Sequence, residues 1–223
     1  MKFENTEVWG FEHAIRGMRN PLESWNKSDS IILMEQDENK DFREVAKIGK
    51  NDLELMQRLI KAGSEHRKFM RQIFVSVDIT APFYWWKEFD TYKIGTVSNS
   101  CSTMHKLAST TITMDCFEMD DFADSNEESN HYNLYTKNMW SNLIDHLEAL
   151  RKEFNETKDK RYWKELIRLL PESWLQKRTI TMNYENILNM YQQRKNHKLT
   201  EWSKSFCDWV KTLPYVEELI CLE

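Results

Sequence analysis

The sequence is short of the residues that interrupt helices and of the motifs that identify common enzyme sites. Its 223 residues include only 5 glycines and 4 prolines, which favours long helices and few tight turns. The 4 cysteines form no Cys-x-x-Cys pair, so neither a zinc ribbon nor a thioredoxin-type motif is indicated. The 6 histidines are scattered without metal-ligand spacing, and we expect no metal site.

Long apolar runs and a basic excess are also missing. No apolar segment approaches the length that spans a membrane, and Met1–Asn5 carries an acid without an apolar core, so we expect no signal peptide. The formal net charge of −5 argues against a general nucleic-acid-binding surface. We therefore expect a cytoplasmic protein with reduced thiols, no membrane partner and no nucleic-acid partner.

No catalytic motif is evident. The chain contains no Gly-x-Ser-x-Gly elbow, no Walker-type phosphate loop and no dinucleotide-binding glycine fingerprint. The content is 40% hydrophobic, 30% charged and 13% aromatic, which is ordinary for a globular protein with a sizeable core apart from the aromatic excess. Motif searching alone therefore does not identify an enzyme.

Hydrophobic periodicity predicts the fold class. An amphipathic helix is expected over Asp52–Ala62, with Asn51 or Asp52 as its cap, and a long helix over Asn138–Thr157. β-branched residues predict a strand at Ile73–Ile79, and we expect a second at 108–117. Further helices are expected at Tyr162–Leu170, Tyr184–Gln193 and Leu199–Leu213. We expect an α+β fold, with a small central, mostly antiparallel sheet flanked by long helices.

We expect a single domain over residues 1–223. Residues 1–50 show weak periodicity and are predicted to form an irregular N-terminal extension. Residues 51–213 are predicted to form the core.

One stretch, Ala81–Leu107, could present a ligand site. An aromatic run leads through a charged segment to Gly95 and then to a cluster of small polar residues that includes Ser100 and Ser102. Such a loop can offer hydroxyl and backbone N–H groups to a phosphate. Serine and threonine also cap helices and fill turns, so this structural interpretation stays open.

A second polar cluster surrounds the helix expected over Tyr184–Gln193. Asn183 precedes that helix, and Arg194, Asn196 and His197 follow it. An arginine beside amide groups can bind a carbonyl or a phosphate through forked hydrogen bonds. The alternative is a helix C-terminus with its usual cations.

Taken in order, these segments resemble the flavin-dependent thymidylate synthases. The family's Gly-His-Glu turn corresponds to Gly63-Ser64-Glu65-His66, and its Ala-Pro step after a strand corresponds to Ala81-Pro82. The family signature Arg-His-Arg-x-x-Ser-x-Asn-Glu-x-Ser-x-Arg falls on 91–96 and on 99–102. The C-terminal half matches through Leu170-Pro171, Thr179–Met182, Asn183, Tyr184–Gln193, Arg194 and Trp202.

The resemblance has clear departures at the signature. Thr91-Tyr92-Lys93 stands where the family has Arg-His-Arg, which helps to hold the flavin. Thr103 or Met104 replaces the last signature arginine. The candidates for replacement charge are Lys93, His105, Lys106 and Arg168. The retained residues are Ser100, Ser102, Asn183 and Arg194.

The resemblance implies a function. A family member is a homotetrameric methyltransferase of nucleotide biosynthesis that uses reduced FAD to transfer a one-carbon unit from methylenetetrahydrofolate, a folate, to C5 of dUMP. The protein orients and polarises its ligands and needs no nucleophile of its own. The alternative is a catalytically degenerate nucleotide-binding or structural module with the same fold.

The resemblance also implies roles for individual residues. Arg194 would be the catalytic and substrate-binding residue, in contact with the pyrimidine carbonyl or with the edge of the flavin. The remaining substrate-binding candidates are Ser100, Ser102 and Arg168. The cofactor-binding candidates are Asn183, His197, Lys93, Glu65 and His66.

Overall fold

The strand expected over Ile73–Ile79 is present as β4 (Phe74–Pro82) in the computed structural model, which describes residues 1–36, 42–119 and 131–222, without the side chains of 131–134. Its burial alternates along the strand, and Val75, Val77 and Ile79 are fully buried. β-Branched residues pack well on a pleated surface, so this segment forms a strand for the reason that its pattern indicates.

The remaining strands form a small antiparallel sheet and a separate hairpin. They are β1 (Lys2–Trp9), β2 (Ile31–Gln36), β3 (Phe42–Lys47), β5 (Val97–Ser100) and β6 (Leu175–Asn183). The four-stranded sheet has the order β1-β4-β6-β5, and β2 pairs antiparallel with β3, placing Leu33 opposite Val45. Helices accompany these sheets, which confirms the α+β prediction.

The helices follow most of the predicted segments. They are α1 (Phe11–Arg19), α2 (Lys50–Lys61), α3 (Phe83–Phe89), α4 (Thr103–Lys106), α5 (His131–Thr157), α6 (Lys160–Leu169), α7 (Tyr184–Arg194), α8 (Cys207–Val210) and α9 (Val216–Leu219). A π-helical turn, Glu201–Phe206, precedes α8, so the helix expected over Leu199–Leu213 is not continuous. None of the helices in the described residues is both long and apolar enough to cross a bilayer.

The chain divides into two compact units. The first unit comprises Met1, Thr80–Thr91 and Ser100–Arg178, and the second comprises Lys2–Ile79, Tyr92–Asn99 and Thr179–Glu223. The single-domain organisation stays a prediction. Each unit has its own buried apolar residues.

In the first unit, α5 and α6 cover an apolar cluster. Ile144, Leu147 and Leu150 project into it from the expected stripe of α5. The other members are Leu107, Ile112, Phe117, Leu166 and Trp174. The 3–4 residue spacing on α5 matches one face of a helix, so the long helix expected from the sequence buries the side that its pattern predicts.

The strand expected at 108–117 is wrong. The segment forms 3₁₀ turns at Leu107–Ser109 and Met114–Cys116, and Phe117 makes only an isolated bridge to Trp174. Side chains of α5 form hydrogen bonds with the backbone groups of this segment instead. The Ala108 carbonyl accepts hydrogen bonds from Arg151 Nη1 at 3.1 Å and Asn155 Nδ2 at 2.8 Å, and Ile112 N donates to Glu148 Oε2 at 3.0 Å. Backbone groups satisfied in this way need no neighbouring strand.

The irregular extension expected over residues 1–50 is also wrong, because β1, α1, β2 and β3 all lie within it. The regularity of β1 comes from its place beside β4 at the sheet edge rather than from its own sequence. Local periodicity cannot reveal a strand whose hydrogen-bond partner lies about 70 residues away.

The N-terminus of α2 shows a further difference from the expected cap. Asp29 caps the helix from a distance by accepting from Asn51 N at 3.0 Å and Asp52 N at 3.2 Å. Asp52 is fully buried and accepts from Arg19 Nε at 2.6 Å and Ser30 Oγ at 2.7 Å. Its carboxylate therefore fixes the chain between α1 and β2 onto α2, and does not act as the N-cap.

We expect Asp52→Asn to lower the free energy of unfolding by about 3–5 kcal/mol, because it leaves the buried Arg19 guanidinium without its counter-charge. Urea denaturation followed by circular dichroism measures this loss. Glu165→Gln is the matched control, since Arg168 and Glu165 form an exposed pair that contributes at most about 1 kcal/mol. An Asp52→Asn loss as small as that of the control would contradict the structural role.

The Glu148 carboxylate should make the first unit sensitive to acid. Its hydrogen bonds with Arg151 lower its pKa from 4.5 to about 2. The stabilisation is therefore fully present above about pH 4.5 and is lost as the pH falls towards 2.

We expect Glu148→Gln to cost on the order of 2 kcal/mol at pH 7, given about 1.4 kcal/mol per pKa unit and some residual contact with water. The difference from the parent protein should shrink between pH 4.5 and 2 when urea midpoints are compared. A difference that stays constant over this range would exclude the proposed linkage.

Candidate functional site

Helix α7, in the second unit, organises the candidate site from its first residue. Asn183 ends β6 and caps α7, with its Oδ1 accepting from Asn186 N at 3.0 Å. Asn186 Oδ1 accepts in return from Asn183 N at 3.2 Å. This reciprocal arrangement satisfies two N–H groups that a helix start leaves without partners, so it defines where α7 begins.

The turn that carries the altered signature docks on this helix start. Asn186 Nδ2 donates to the Ile94 carbonyl at 2.7 Å. Gly95 has a φ of +74°, and a Cβ there would lie 2.9 Å from Asn183 Nδ2 and 3.0 Å from Asn186 Oδ1. The turn therefore needs glycine for its conformation and for its close approach to the cap.

At the other end of α7, Arg194 lies among aromatic rings. It is half-buried, and its Nε donates to Tyr92 Oη at 2.9 Å. The guanidinium carbon lies 4.8 Å from the ring centroid of Trp202 and 5.5 Å from that of Tyr92. Tyr92 Oη donates in turn to Gln193 Oε1 at 2.9 Å. These contacts restrict the guanidinium, in contrast to a helix-end cation that extends into water.

His197 closes the C-terminal end of α7. Its backbone N donates to the Arg194 carbonyl at 2.9 Å, and its Nδ1 accepts from Leu199 N at 3.2 Å. A neutral imidazole that accepts at Nδ1 carries its proton on Nε2. His197 is thus placed within one turn of Arg194.

A third contact joins α7 to the turn that follows α2. Glu185 is 8% exposed and binds Arg67 at 3.2 Å and also Arg71. Burial raises the pKa of this carboxyl, but the hydrogen bonds from Arg71 and Arg67 outweigh burial and leave the pKa below its usual value. Arg67 Nη2 also donates to Asn189 Oδ1 at 3.1 Å. The two arginines therefore fix the segment after Gly63 against α7.

The cofactor candidates form two groups, one at α7 and the turn docked on it, and one on the segment that follows α2. Asn183 and His197 lie at the ends of α7, and Lys93 is exposed on the docked turn. Glu65 and His66 are exposed beside Arg67, and Glu65 pairs with Lys68 at 3.6 Å. All of these residues belong to the second unit, as does Arg194.

The other substrate candidates, Ser100, Ser102 and Arg168, belong to the first unit. Ser102 Oγ accepts from His105 N at 3.3 Å and caps α4. Ser100 is exposed at the end of β5, and Arg168 pairs with Glu165 at 3.1 Å with its side chain 59% exposed. Helix capping thus accounts for the contact that the Ser102 hydroxyl makes. The phosphate-binding role of Ser100, Ser102 and Arg168 stays a prediction.

Sequence reasoning missed the contribution of Tyr92 and Gln193. Tyr92 stood out only as a departure from the signature, yet it is the hydrogen-bond partner of Arg194. An aromatic residue at a position where charge is expected is a usable signal, because a guanidinium binds well to an aromatic face.

Within the described ranges, no three His, Cys, Asp or Glu residues are grouped so that they could hold a metal ion.

Comparisons with known proteins support the fold. No protein-family model and no curated protein matches the chain. The chain is similar to the crystal structure of the flavin-dependent thymidylate synthase ThyX from Helicobacter pylori complexed with FAD and dUMP, with a TM-score of 0.65 and 17% identity over 100% of both chains. A second structure of Thymidylate Synthase X from that organism with FAD and dUMP gives a TM-score of 0.66 and 18% identity over 99% of this chain and 97% of that chain. This likeness confirms the expected fold.

We expect Gly95→Ala to cost about 1–3 kcal/mol of stability, because it combines positive-φ strain with crowding of the α7 cap. Gly63→Ala is the matched control, since Gly63 has a φ of +105° but no atom within 4 Å of an added Cβ. Urea denaturation of both variants separates strain from crowding. Hydrogen exchange at Asn186 N should accelerate only in Gly95→Ala, and equal exchange in the two variants would refute the docking of the turn on the cap.

Proposed function

We propose that this chain binds a pyrimidine deoxynucleotide together with FAD and acts as a flavin-dependent thymidylate synthase-like methyltransferase. The reaction transfers a one-carbon unit from methylenetetrahydrofolate to C5 of dUMP or a related nucleotide. The observation that carries the proposal is the end-to-end likeness to two ThyX structures that hold FAD and dUMP. The protein assembles as a homotetramer in the cytoplasm.

Arg194 is the residue on which nucleotide recognition rests. A guanidinium only donates hydrogen bonds, and the carbonyl oxygens of a uracil ring only accept them. The hydrogen bond to Tyr92 and the contact with the Trp202 ring hold the Arg194 guanidinium in one orientation. Arg194 thus binds and polarises the pyrimidine. Ser100, Ser102 and Arg168, which belong to the first unit, are separate candidates for binding a phosphate.

The donors around α7 fit a flavin in their chemistry. Lys93 and His66 offer exposed cationic or N–H groups suited to a diphosphate, and Asn183 and His197 offer N–H groups suited to ring carbonyls and nitrogens. Glu65 fits a ribose hydroxyl. When bound, reduced FAD drives the one-carbon transfer, and these side chains orient it beside the nucleotide.

A degenerate binding module of the same fold is the second candidate, and one observation favours it. Thr91, which stands in place of a signature arginine, donates its hydroxyl to the Glu88 carbonyl at 2.7 Å. This contact serves the end of α3 and supplies no charge for a diphosphate. In that case the chain binds the nucleotide without FAD and without turnover.

Calorimetric titration with FAD and with dUMP distinguishes the candidates. The enzyme proposal expects binding of FAD and dUMP, and conversion of dUMP to dTMP when a reductant and methylenetetrahydrofolate are supplied. Binding of dUMP alone without conversion supports the module. No binding of either ligand excludes both nucleotide functions. Light scattering at the same concentrations tests the tetramer.

We expect Arg194→Ala to weaken dUMP binding by roughly ten- to hundredfold, because a hydrogen bond to a charged group contributes about 1.5–3 kcal/mol. It should also cost about 1 kcal/mol of stability through its aromatic contacts. Arg161→Ala is the matched control, since that guanidinium is 89% exposed and pairs with Asp159. Unchanged dUMP affinity in folded Arg194→Ala protein would remove Arg194 from the site.

A further inference from the structure

Tyr92 makes contacts that together immobilise one guanidinium. Its hydroxyl accepts from Arg194 Nε at 2.9 Å and donates to Gln193 Oε1 at 2.9 Å. Its ring also lies against the Trp202 ring in an edge arrangement, with centroids 6.2 Å apart. A phenol can both accept and donate, so Tyr92 uses both capacities of its oxygen here.

We propose that Tyr92 is a positioning residue that orients the Arg194 guanidinium towards the pyrimidine ring of the nucleotide. This inference rests on the proposed function and adds a specific role for a residue that lies outside the ligand-binding set. Tyr92 acts through Arg194, and it needs no contact with the nucleotide.

The hydrogen bond and the rings restrict different motions of the guanidinium. The two nearby ring centroids, at 4.8 Å and 5.5 Å, limit where its plane can lie. The bond from Nε to the phenol oxygen limits rotation within the remaining space. An arginine side chain loses conformational freedom when it is ordered. Ordering it before the ligand arrives removes that cost from binding.

Tyr92 can impose this order because its own backbone is anchored. Two residues later, the Ile94 carbonyl accepts from Asn186 Nδ2 at 2.7 Å, and Gly95 lies against the cap of α7. The tyrosine and the arginine are therefore tied to the two ends of the same helix. Trp202 is fully buried and completes the aromatic surroundings from the π-helical turn.

The first test needs no ligand and compares two tyrosine hydroxyl deletions. Tyr92→Phe keeps the ring and removes both the hydrogen bond from Arg194 Nε and the hydrogen bond to Gln193 Oε1. Tyr215→Phe is the matched control, because the Tyr215 hydroxyl accepts from Ile48 N at 2.9 Å and donates to the Ala46 carbonyl at 2.9 Å. Both variants lose hydroxyl hydrogen bonds of similar length in the second unit.

Exchange of the Arg194 Nε proton with water is measured by nitrogen-15 NMR, with the signal assigned by its loss in Arg194→Lys. We expect slow exchange in the parent protein and in Tyr215→Phe, and at least tenfold faster exchange in Tyr92→Phe. Equal exchange in all three folded proteins would overturn the proposal, whatever the protein binds.

The second test is a double-mutant cycle on dUMP affinity. Tyr92→Phe should weaken binding by about five- to tenfold in the parent protein and by less than twofold in an Arg194→Ala background. Tyr215→Phe should lower thermal stability without changing dUMP affinity in either background. An equal loss from Tyr92→Phe in both backgrounds would show that Tyr92 does not act through Arg194.

The two tests separate failure of the inference from failure of the proposed function. Absence of dUMP binding by the parent protein would refute the nucleotide function and, with it, the orientation of Arg194 towards a pyrimidine. The exchange measurement would still decide whether Tyr92 orders Arg194. Fast exchange in the parent protein together with normal dUMP binding would retain the function and reject Tyr92 as its positioning residue.

Discussion

The candidate site depends on the reciprocal hydrogen bonds between Asn183 and Asn186 at the start of α7. A cap selects the first residue of a helix, and every later side chain then takes its direction from that choice. With α7 beginning at Tyr184, Glu185 meets Arg67 and Arg194 meets Tyr92. A start displaced by one residue would rotate these side chains by about 100° and separate both pairs.

The two ends of α7 are held by different kinds of contact. One buried carboxylate, Glu185, binds two arginines, Arg67 and Arg71, and these ion pairs fix the turn after α2 against α7. At the far end, aromatic faces and a phenol restrict Arg194 without a neighbouring charge being required for that effect.

Much of the fold could be predicted because the relevant forces are local. The apolar stripe of α5 and the β-branched residues of β4 each bury the face that their spacing indicates. The segment at 108–117 has similar β-branched content but forms turns, because Glu148, Arg151 and Asn155 of α5 bind its backbone. Competition between a strand partner and side-chain partners is settled by tertiary contacts, which a single-sequence pattern does not contain.

The sequence by itself determined most of the longer helices and the central strand, and it marked Asn183 and Arg194 as candidates, because capping chemistry and periodicity act over short spacings. Only the tertiary structure decided the partners of those residues. Tyr92 reaches Arg194 across 102 positions, Arg67 reaches Glu185 across 118, and Asp29 caps a helix 22 positions away. Such pairings depend on which distant segments the fold brings together, and the fold is stabilised by the burial of many apolar side chains.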